Sequence, residues 1–258
     1  MNIIEQPLKI ERQAQIRRLA KEKRQVTVTE LSSVFGVSEA TIRRDLEELD
    51  GQGLQRTHGG AVWVEQAMKE PPIMQRMPEQ SENKRRIGRA AAGLVKDGQT
   101  IFLGSGTTPL EIARQLPKSL HLTVISNSLA VVNELADSPN VELVVVGGLF
   151  RHSELSMIGH PAEMVVREFR ADKVFLGMRA IDIRQGFTND YMPEILTDRA
   201  ILAIGSEVIV VSDHTKFGRV SSVFVSPVTA AHIIITDSDI SSEIAGEIRE
   251  LGIRLMIV

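Results

Sequence analysis

The chain has 258 residues, of which 43% are hydrophobic and 24% are charged, and its formal net charge is −3. This length accommodates one large domain or two of ordinary size. Because the cysteine count is 0, disulfides and thiolate zinc sites are excluded, which favours a cytoplasmic protein. The N-terminus lacks the apolar stretch of a signal peptide, and the longest apolar run (141–150) is too short to span a membrane, so no membrane partner is expected. A negative net charge does not by itself indicate nucleic-acid binding, so an attraction for DNA requires a local basic patch.

The first predicted elements are a basic helix over residues 9–24, a β-branched link over 25–29 and a short helix over 29–35. The short helix is expected to turn Leu31, Val34 and Phe35 inward. The sequence Gly36-Val37-Ser38 then predicts a tight turn, since glycine tolerates a positive φ. Two short helices joined so closely are typical of a helix-turn-helix.

The next helix is predicted over Val37 to Leu49, with Ser38 as its N-cap. Ile42, Leu46 and Leu49 recur at steps of four and three, which makes one apolar stripe. Ala40 and Arg44 are expected to project opposite Ile42, with Thr41 and Arg43 on the two flanks. This pattern suits the helix of a helix-turn-helix that reads the major groove. An ordinary amphipathic helix with a solvated charged face is the alternative for such a segment taken alone.

The helix is expected to end at Asp50-Gly51-Gln52-Gly53, where a glycine supplies the C-terminal cap. A β-hairpin is predicted to follow. Short strands at 54–57 and 61–64 flank the turn His58-Gly59-Gly60, which predicts the wing of a winged helix. Edge residues of the hairpin, Arg56, Thr57, His58 and Gly59, are candidates for contacts with DNA phosphates or the minor groove. A turn shaped by two glycines without any DNA contact is the alternative.

Periodicity is lost over residues 65–82, which contain Pro71, Pro72 and Pro78 and are predicted to be a linker. From residue 83 onward, short β-branched runs alternate with amphipathic helices, which predicts an α/β domain with a largely parallel sheet. The predicted strands are 100–103, 122–126, 141–146, 173–177, 207–212, 232–236 and 254–258. The predicted helices are 84–95, 109–116, 129–136, 161–169, 193–204 and 240–251.

A candidate anion site follows the first of these strands, at Gly104-Ser105-Gly106-Thr107-Thr108. Free backbone N–H groups and the helix dipole at a helix N-terminus favour an anion, and three hydroxyls add donors. A tight strand-to-helix turn without a ligand is the alternative. Neither a Walker loop nor G-x-G-x-x-G is present.

Other strand ends carry similar groups: Asn127 and Ser128, then Gly148 and Arg151, and later Asp213 and Lys216. Asn, Asp and Ser hydrogen-bond sugar hydroxyls, while Lys or Arg neutralises a phosphate. Ligands bind at such strand ends in α/β sheets. For the alternating residues His152, Glu154 and Ser156, surface polarity is the preferred interpretation and pocket lining the alternative. The six histidines show no metal-binding spacing, so no metal site is predicted.

Two groups of segments resemble one known family. ERQAQI and VTVTELSSVFGVSEATIRRDLEELDGQGLQRTHGGA resemble the N-terminal domain of DeoR-family repressors. IFLGSGTT, ISNSL, VVGGLFR and SDHTKFG resemble the effector-binding domain of the same family, which is similar in fold to ribose-5-phosphate isomerase and glucosamine-6-phosphate deaminase. The resemblance implies a winged helix-turn-helix domain over 1–64, a linker over 65–82 and a sensor domain over 83–258.

The resemblance also implies that Gly104 to Thr108 hold a phosphate, with Asn127, Arg151, Asp182, Asp213 and Lys216 around the sugar. Two departures from the family pattern leave the identity of the sugar undetermined. Met178-Arg179-Ala180 stands in place of a small-Asp-Gly run, and Asp198 stands in place of a common lysine. The full set of effector-binding candidates is Gly104, Ser105, Gly106, Thr107, Thr108, Asn127, Ser128, Gly148, Arg151, Asp182, Asp213 and Lys216. The full set of DNA-binding candidates is Ser38, Ala40, Thr41, Arg43, Arg44, Arg56, Thr57, His58 and Gly59.

The leading hypothesis is therefore a DNA-binding transcriptional regulator, specifically a repressor of carbohydrate-metabolism genes. It is expected to bind double-stranded operator DNA as a homodimer or homotetramer, to respond to a phosphorylated sugar and to need no cofactor. One alternative is a sugar-phosphate isomerase or amino-sugar-phosphate deaminase with an added domain, in which Asp182 or Asp213 is the base. Another is a winged helix that docks a protein instead of DNA.

Overall fold

The computed structural model describes residues 9–23, 25–50, 54–57, 59–63 and 71–258. The chain divides into two compact units, Met1–Lys69 and Glu70–Val258. Among the described residues, no helix is both long enough and apolar enough to cross a lipid bilayer.

The first unit is a winged helix-turn-helix, as predicted. Its elements in chain order are α1 (Lys9–Lys23), β1 (Gln25–Thr27), α2 (Val28–Phe35), α3 (Glu39–Leu49), β2 (Leu54–Thr57) and β3 (Gly60–Trp63). The three strands form an antiparallel sheet in the order β1-β3-β2, so the β2–β3 hairpin is tied to the chain segment that precedes α2. Gly36, at φ 63°, ends α2 in the left-handed conformation and permits the tight turn into α3.

The core of this unit confirms the apolar stripe of α3, because Ile42, Leu46 and Leu49 are all buried against α1 and α2. Two details of α2 differ from prediction. The helix begins at Val28, where the Thr27 side chain accepts a hydrogen bond from the Glu30 N–H and so caps it. Val34 was expected to face inward but is 58% exposed.

The second unit is built on a parallel seven-stranded sheet with the order β15-β14-β12-β9-β4-β5-β6. Its strands are β4 (Thr100–Leu103), β5 (Leu122–Ser126), β6 (Val141–Val145), β9 (Ala171–Leu176), β12 (Gly205–Val211), β14 (Ile233–Thr236) and β15 (Arg254–Ile257). Its helices are α4 (Ile73–Arg76), α5 (Ser81–Ala92), α6 (Thr107–Gln115), α7 (Leu129–Leu135), α8 (His160–Arg167), α9 (Met192–Ile204) and α10 (Ser242–Glu250). The predicted α/β class and its parallel sheet are confirmed.

Helices cover both faces of the central sheet, so alternate residues of one strand enter different cores. Ile101 and Leu103 of β4 pack with α5 and α6, whereas Phe102 between them packs with α9. Strands that are buried on both faces become near-continuous apolar runs, which is the pattern that the sequence shows.

Two small antiparallel sheets that the sequence did not predict lie outside the main sheet. One pairs β7 (Leu149–Arg151) with β8 (Ser156–Ile158). The other joins β10 (Ala180–Asp182), β11 (Gly186–Asn189) and β13 (Val223–Ser226). A single 3-10 turn at His214–Lys216 follows β12. These additions place polar side chains around the carboxyl ends of the central strands.

Residues 71–82, which the sequence assigned to the linker, belong to the second unit. Ile73 is 1% exposed, and its N–H donates to the carbonyl of Ser153 at 2.7 Å. The helix that was predicted over 84–95 begins earlier, at Ser81. Of the predicted linker, residues 65–70 lie outside the described residues.

Candidate functional site

The exposed side of α3 presents the predicted DNA-contacting residues. The Ser38 hydroxyl accepts a hydrogen bond from the Thr41 N–H at 3.2 Å, which confirms the predicted N-cap. Ala40 and Arg44 are exposed. Arg43 is also exposed and pairs with Glu39 at 3.2 Å on its own helix, whereas Arg44 makes no ion pair with another residue of the described chain. Arg44 is thus available to an outside partner.

The β2–β3 hairpin presents Arg56 and Thr57 at its exposed edge. Arg56 is anchored to α3 and its end, because its N–H donates to Asp50 at 3.0 Å and its guanidinium lies 3.3 Å from Glu47. Gly59 is exposed, and its carbonyl accepts from the Val28 N–H at 2.9 Å. His58 and the predicted glycine cap at 51–53 lie outside the described residues. A Cβ atom at Gly60 would lie 2.0 Å from the carbonyl oxygen of Val26, so only glycine lets the hairpin meet β1.

A buried ion pair, which the sequence did not predict, holds α3 against α1. Arg12 Nε donates to Asp45 Oδ2 at 2.6 Å, and a second guanidinium nitrogen donates to Oδ1 at 3.3 Å. Asp45 is 2% exposed and Arg12 is 8% exposed. The Asp45 carboxylate therefore faces α1 and not the solvent.

The second unit has a polar cleft at the carboxyl ends of β4, β9 and β12. Five segments surround it: the 76–84 region, the start of α6, the loop at 151–154, residues 176–198 and the loop after β12. The predicted residues that line it are Ser105, Gly106, Thr107, Thr108, Arg151, Asp213 and Lys216. The structure therefore brings together side chains that are more than 100 positions apart in the sequence.

One end of the cleft is the N-terminus of α6. Gly106 occupies the N-cap position and provides no side-chain cap, so the first N–H groups of the helix are open to a ligand. The Ser105, Thr107 and Thr108 hydroxyls and the Lys216 and Lys84 ammonium groups line the same cleft. Burial lowers the pKa of Lys84. The Asp213 carboxylate opposes this effect, whereas the positive charges of Lys216 and Arg76 add to it. Open N–H groups beside two ammonium groups are the donors that favour an anion at a helix N-terminus.

Another part of the cleft is a cluster of charged groups around α9. Arg151 donates to Glu194, and its guanidinium lies 4.3 Å from the centre of the Tyr191 ring. The Asn189 side-chain amide donates to Glu194 at 3.1 Å and to Asp198 at 3.2 Å. Burial raises the pKa of Glu194, and the Arg151 charge opposes this. These groups offer both acceptors and donors to a polyhydroxylated ligand.

The 71–80 segment lies beside this cluster and lines the cleft through Arg76. Arg76 and Glu154, both buried, form an ion pair, and Arg76 Nε also donates to the carbonyl of Pro71 at 2.8 Å. The Lys84 ammonium donates to the carbonyls of Arg76, at 2.8 Å, and of Glu79. Glu154, interpreted from the sequence as surface polarity, is 6% exposed and belongs to the cleft.

Five predicted effector residues do not line the cleft and have structural roles in the described chain. A Cβ at Gly104 would lie 2.4 Å from a methyl group of Leu176, so this glycine packs β4 against β9. Similarly, a Cβ at Gly148 would lie 2.7 Å from the carbonyl oxygen of Ile158. Asn127 donates to the carbonyl of Met157 at 3.0 Å, Ser128 caps α7, and Asp182 accepts from the N–H groups of Arg184 and Gln185 in a turn.

Several cleft residues were absent from the candidates made from the sequence. They are Arg76, Glu79, Lys84, Glu154, Arg179, Asn189, Glu194 and Asp198. Asp198 and Arg179 had been noted as departures from a family pattern, which was the one available indication for them. Arg76, Glu79, Lys84 and Glu194 lie on helices or in the 71–80 segment, where charged side chains are commonly interpreted as solvated. Glu154 lies in the turn between β7 and β8, and Asn189 ends β11, one of the strands that the sequence did not predict.

A second polar cluster supports the loop that carries Lys216. His214 Nδ1 lies 2.8 Å from Asp237 Oδ1, and the His214 N–H donates to Asp237 Oδ2 at 2.8 Å. Together with Asp239, these side chains place three potential metal ligands within 4.8 Å of one another. Both oxygens of the buried Asp237 already accept hydrogen bonds, one of them also from the Asp239 N–H at 3.0 Å. The observed contacts therefore account for this cluster as a support for the loop.

Two family models match the two units separately. Residues 12–67 match the DeoR-like helix-turn-helix domain, and residues 79–238 match the DeoR C terminal sensor domain. Both parts of the resemblance that the sequence suggested are thereby confirmed.

Curated relatives match over most of their length. The chain is 36% identical over 230 residues to the transcriptional repressor AccR of Agrobacterium fabrum, covering 88% of this chain and 89% of that protein. It is 32% identical over 251 residues to a putative aga operon transcriptional repressor of Escherichia coli O157:H7, covering 96% and 93%. It is 33% identical over 220 residues to the glycerol-3-phosphate regulon repressor of Escherichia coli K12, covering 85% and 87%.

Solved structures add only a distant likeness. A ribose 5-phosphate isomerase from Methanocaldococcus jannaschii shares 18% identity with a TM-score of 0.40, covering 54% of this chain and 55% of the isomerase. This likeness does not support an isomerase function. The curated relatives are named as repressors and do not favour the enzyme alternative. By its two domain matches and its relatives, this chain belongs to the DeoR family and is a DNA-binding transcriptional regulator, not an enzyme.

Proposed function

We propose that this regulator is a repressor of carbohydrate-metabolism genes and that a phosphorylated sugar bound in the cleft controls its affinity for operator DNA. The main support for the proposal is that the open N-terminus of α6, Lys84 and Lys216 all line one cleft. A phosphate there would accept backbone hydrogen bonds and two charge-assisted ones. Arg151, Asn189 and Glu194 would then contact the sugar hydroxyls. Two relatives support this assignment, because they are named as a glycerol-3-phosphate regulon repressor and a putative aga operon repressor.

The DNA contact is proposed to follow the geometry of winged helix-turn-helix proteins. The N-terminal half of α3 would enter the major groove, with Arg44 and Arg43 reaching base edges or phosphates. Arg56 and Thr57 of the hairpin would contact the backbone beside it. A homodimer or homotetramer would set two such helices into successive major grooves.

Control by the ligand requires that the effector bind two states of the protein with different affinity. The 71–80 segment is positioned to distinguish such states, because Arg76 and Lys84 line the cleft and Ile73 bonds to Ser153 in the loop beside Arg151. In the sequence this segment directly follows the residues that join it to the DNA-binding domain. We infer that effector binding rearranges these contacts and so changes operator affinity.

A thermal-shift comparison of phosphorylated sugars with their unphosphorylated counterparts tests the effector assignment. A ligand that binds only the native state stabilises it by about 2.7 kcal/mol at one hundred times its dissociation constant. We expect phosphorylated sugars to raise the melting temperature of the wild-type chain, and Lys216→Ala to lose most of this shift. Lys96→Ala, which removes an exposed lysine outside the cleft, should retain it. Equal shifts with and without the phosphate, or an unchanged response in Lys216→Ala, would show that the site is misassigned.

A further inference from the structure

Two carboxyl groups share one amide at the α9 side of the cleft. Asn189 Nδ2 donates to Glu194 Oε2 at 3.1 Å and to Asp198 Oδ2 at 3.2 Å, and all three residues line the cleft. An amide that bridges two carboxyl groups holds them at a fixed spacing and leaves their other oxygens as acceptors.

The cations at this side of the cleft do not balance both carboxyl groups. Arg151 pairs with Glu194, which is 5% exposed. Arg179 pairs with Asp190 at 3.3 Å. Asp198 makes no ion pair with any cation in the part of the chain that the structure describes. Asp198 thus has a hydrogen-bond donor but no directly paired cation, and the Arg151 charge acts on it less strongly than burial and Glu194 do.

A partly buried carboxylate without a paired cation is costly to keep ionised, so the neutral form is favoured more than it is in water. Burial, and after it the negative charge of Glu194, raise the pKa of Asp198 well above its usual range. A positive group beside Asp198 would lower this pKa again and so favour the ionised carboxylate.

We propose that the Asn189–Glu194–Asp198 group binds an ammonium group, so that the effector is a phosphorylated amino sugar with its phosphate at α6 and its amine at Asp198. This inference rests on the proposed function, since it names the effector class of the same cleft. An ammonium is compact, donates three hydrogen bonds and supplies the missing positive charge. Any proton that Asp198 holds in the empty cleft passes to solvent when the ammonium binds, so that step leaves the total charge of the site unchanged. A sugar hydroxyl at the same position donates one hydrogen bond and no charge.

Matched pairs of sugar phosphates test the inference by isothermal titration calorimetry on the full chain. The pairs are glucosamine 6-phosphate with glucose 6-phosphate, galactosamine 6-phosphate with galactose 6-phosphate, and mannosamine 6-phosphate with mannose 6-phosphate. We expect the amine to bind on the order of tenfold to a hundredfold more tightly in at least one pair, the range of a charged hydrogen bond. In Asp198→Asn this ratio should fall to about one, while affinity for the hydroxyl partner is retained. Asp137→Asn, at an exposed position outside the cleft, should keep the wild-type ratio.

The outcomes separate this inference from the proposed function. If the hydroxyl member binds as tightly as the amine or more tightly in every pair, the ammonium assignment is wrong while a phosphorylated-sugar effector stands. An amine preference that persists in Asp198→Asn would also overturn it, because the preference would then come from other groups. If no sugar phosphate binds at all, the proposed effector class itself fails.

Discussion

The guanidinium of Arg12 on α1 grips the carboxylate of Asp45 on α3 through two hydrogen bonds, of 2.6 and 3.3 Å, and both side chains are buried. The pair fixes the helix that carries Arg44 onto the helix that precedes the wing sheet. Breaking one half of such a pair leaves a buried charge without a partner, which typically costs about 3–5 kcal/mol.

Asp45→Asn should therefore destabilise the DNA-binding domain by about 3 kcal/mol, since the amide supplies no charge to Arg12. Urea unfolding followed by circular dichroism measures this loss, and operator affinity should fall with it while effector binding is retained. Glu48→Gln is the matched control: its pair with Lys9 is 2.7 Å long but half exposed, so its loss should change stability much less than Asp45→Asn does. Equal effects of the two substitutions would contradict the assigned role of Asp45.

Arg44→Ala should weaken operator binding by about 1–3 kcal/mol if its guanidinium contacts a base. Fluorescence anisotropy with labelled operator DNA gives the affinity, and its salt dependence reports lost phosphate contacts at a log-log slope of about 0.9 for each contact. Arg249→Ala removes the same charge from an exposed position of α10 in the other unit and should leave the affinity nearly unchanged. An operator affinity that is unchanged in Arg44→Ala would contradict a base contact by this side chain.

Asp198→Asn should raise the melting temperature of the ligand-free protein at neutral pH. The pKa of Asp198 is raised on folding by burial and by Glu194, with Asn189 and Arg151 opposing. A carboxyl group with a raised folded pKa destabilises the protein fully above that pKa, and this destabilisation is relieved as the pH falls towards the unfolded value of about 3.8. The gain should be about 2–4 °C for each kcal/mol relieved.

The pH dependence of that gain is the decisive feature. The difference between Asp198→Asn and the wild type should shrink as the pH falls and should disappear near the unfolded pKa. Asp137→Asn, at an exposed position, should show no such trend. A difference that is constant across pH would indicate a packing effect of the substitution instead of a charge effect.

Ile73→Ala should uncouple the effector from the DNA. Ile73 is buried and holds the 71–80 segment on the second unit, and its truncation removes about 2–5 kcal/mol of local packing. Effector affinity should stay within about twofold by calorimetry, while the effector's influence on operator affinity should decrease. Ile248→Ala truncates an equally buried residue on α10 and should lower stability without reducing the response. A full response in Ile73→Ala would exclude the 71–80 segment as the route.

Local patterns made much of the first unit predictable. The spacing of Ile42, Leu46 and Leu49 predicts the buried face of α3. Ser38 predicts where the helix starts, because its hydroxyl caps the first turn. Val34 was misassigned because α2 has only 8 residues. A helix of about two turns shows too little periodicity to fix which side chains face the core. The Arg12–Asp45 pair was not predictable, since 33 positions separate its members and each reads alone as a surface charge.

In the second unit, Ser105 to Thr108 form one continuous segment, so their place at the α6 end of the cleft could be predicted from the sequence, whereas Lys84 at the same end could not. The opposite end depends on long-range placement: Arg76 meets Glu154 across 78 positions, and Arg151 meets Glu194 across 43. Asn127 and Asp182 were misplaced for a related reason. Polar residues at strand ends satisfy backbone groups as often as ligands, and the short sheets of β7–β8 and β10–β11–β13, which decide between these roles, carry weak sequence patterns.

We propose that one chain binds both operator DNA and a phosphorylated sugar, and that each ligand changes the affinity for the other. The most direct measurement selects genomic fragments with the purified chain and then titrates the selected DNA with and without a panel of sugar phosphates. We expect preferred fragments whose dissociation constant shifts with at least one sugar phosphate, by a factor of about 5–150. No preference for any fragment, or preferred binding that no sugar phosphate alters, would contradict the account.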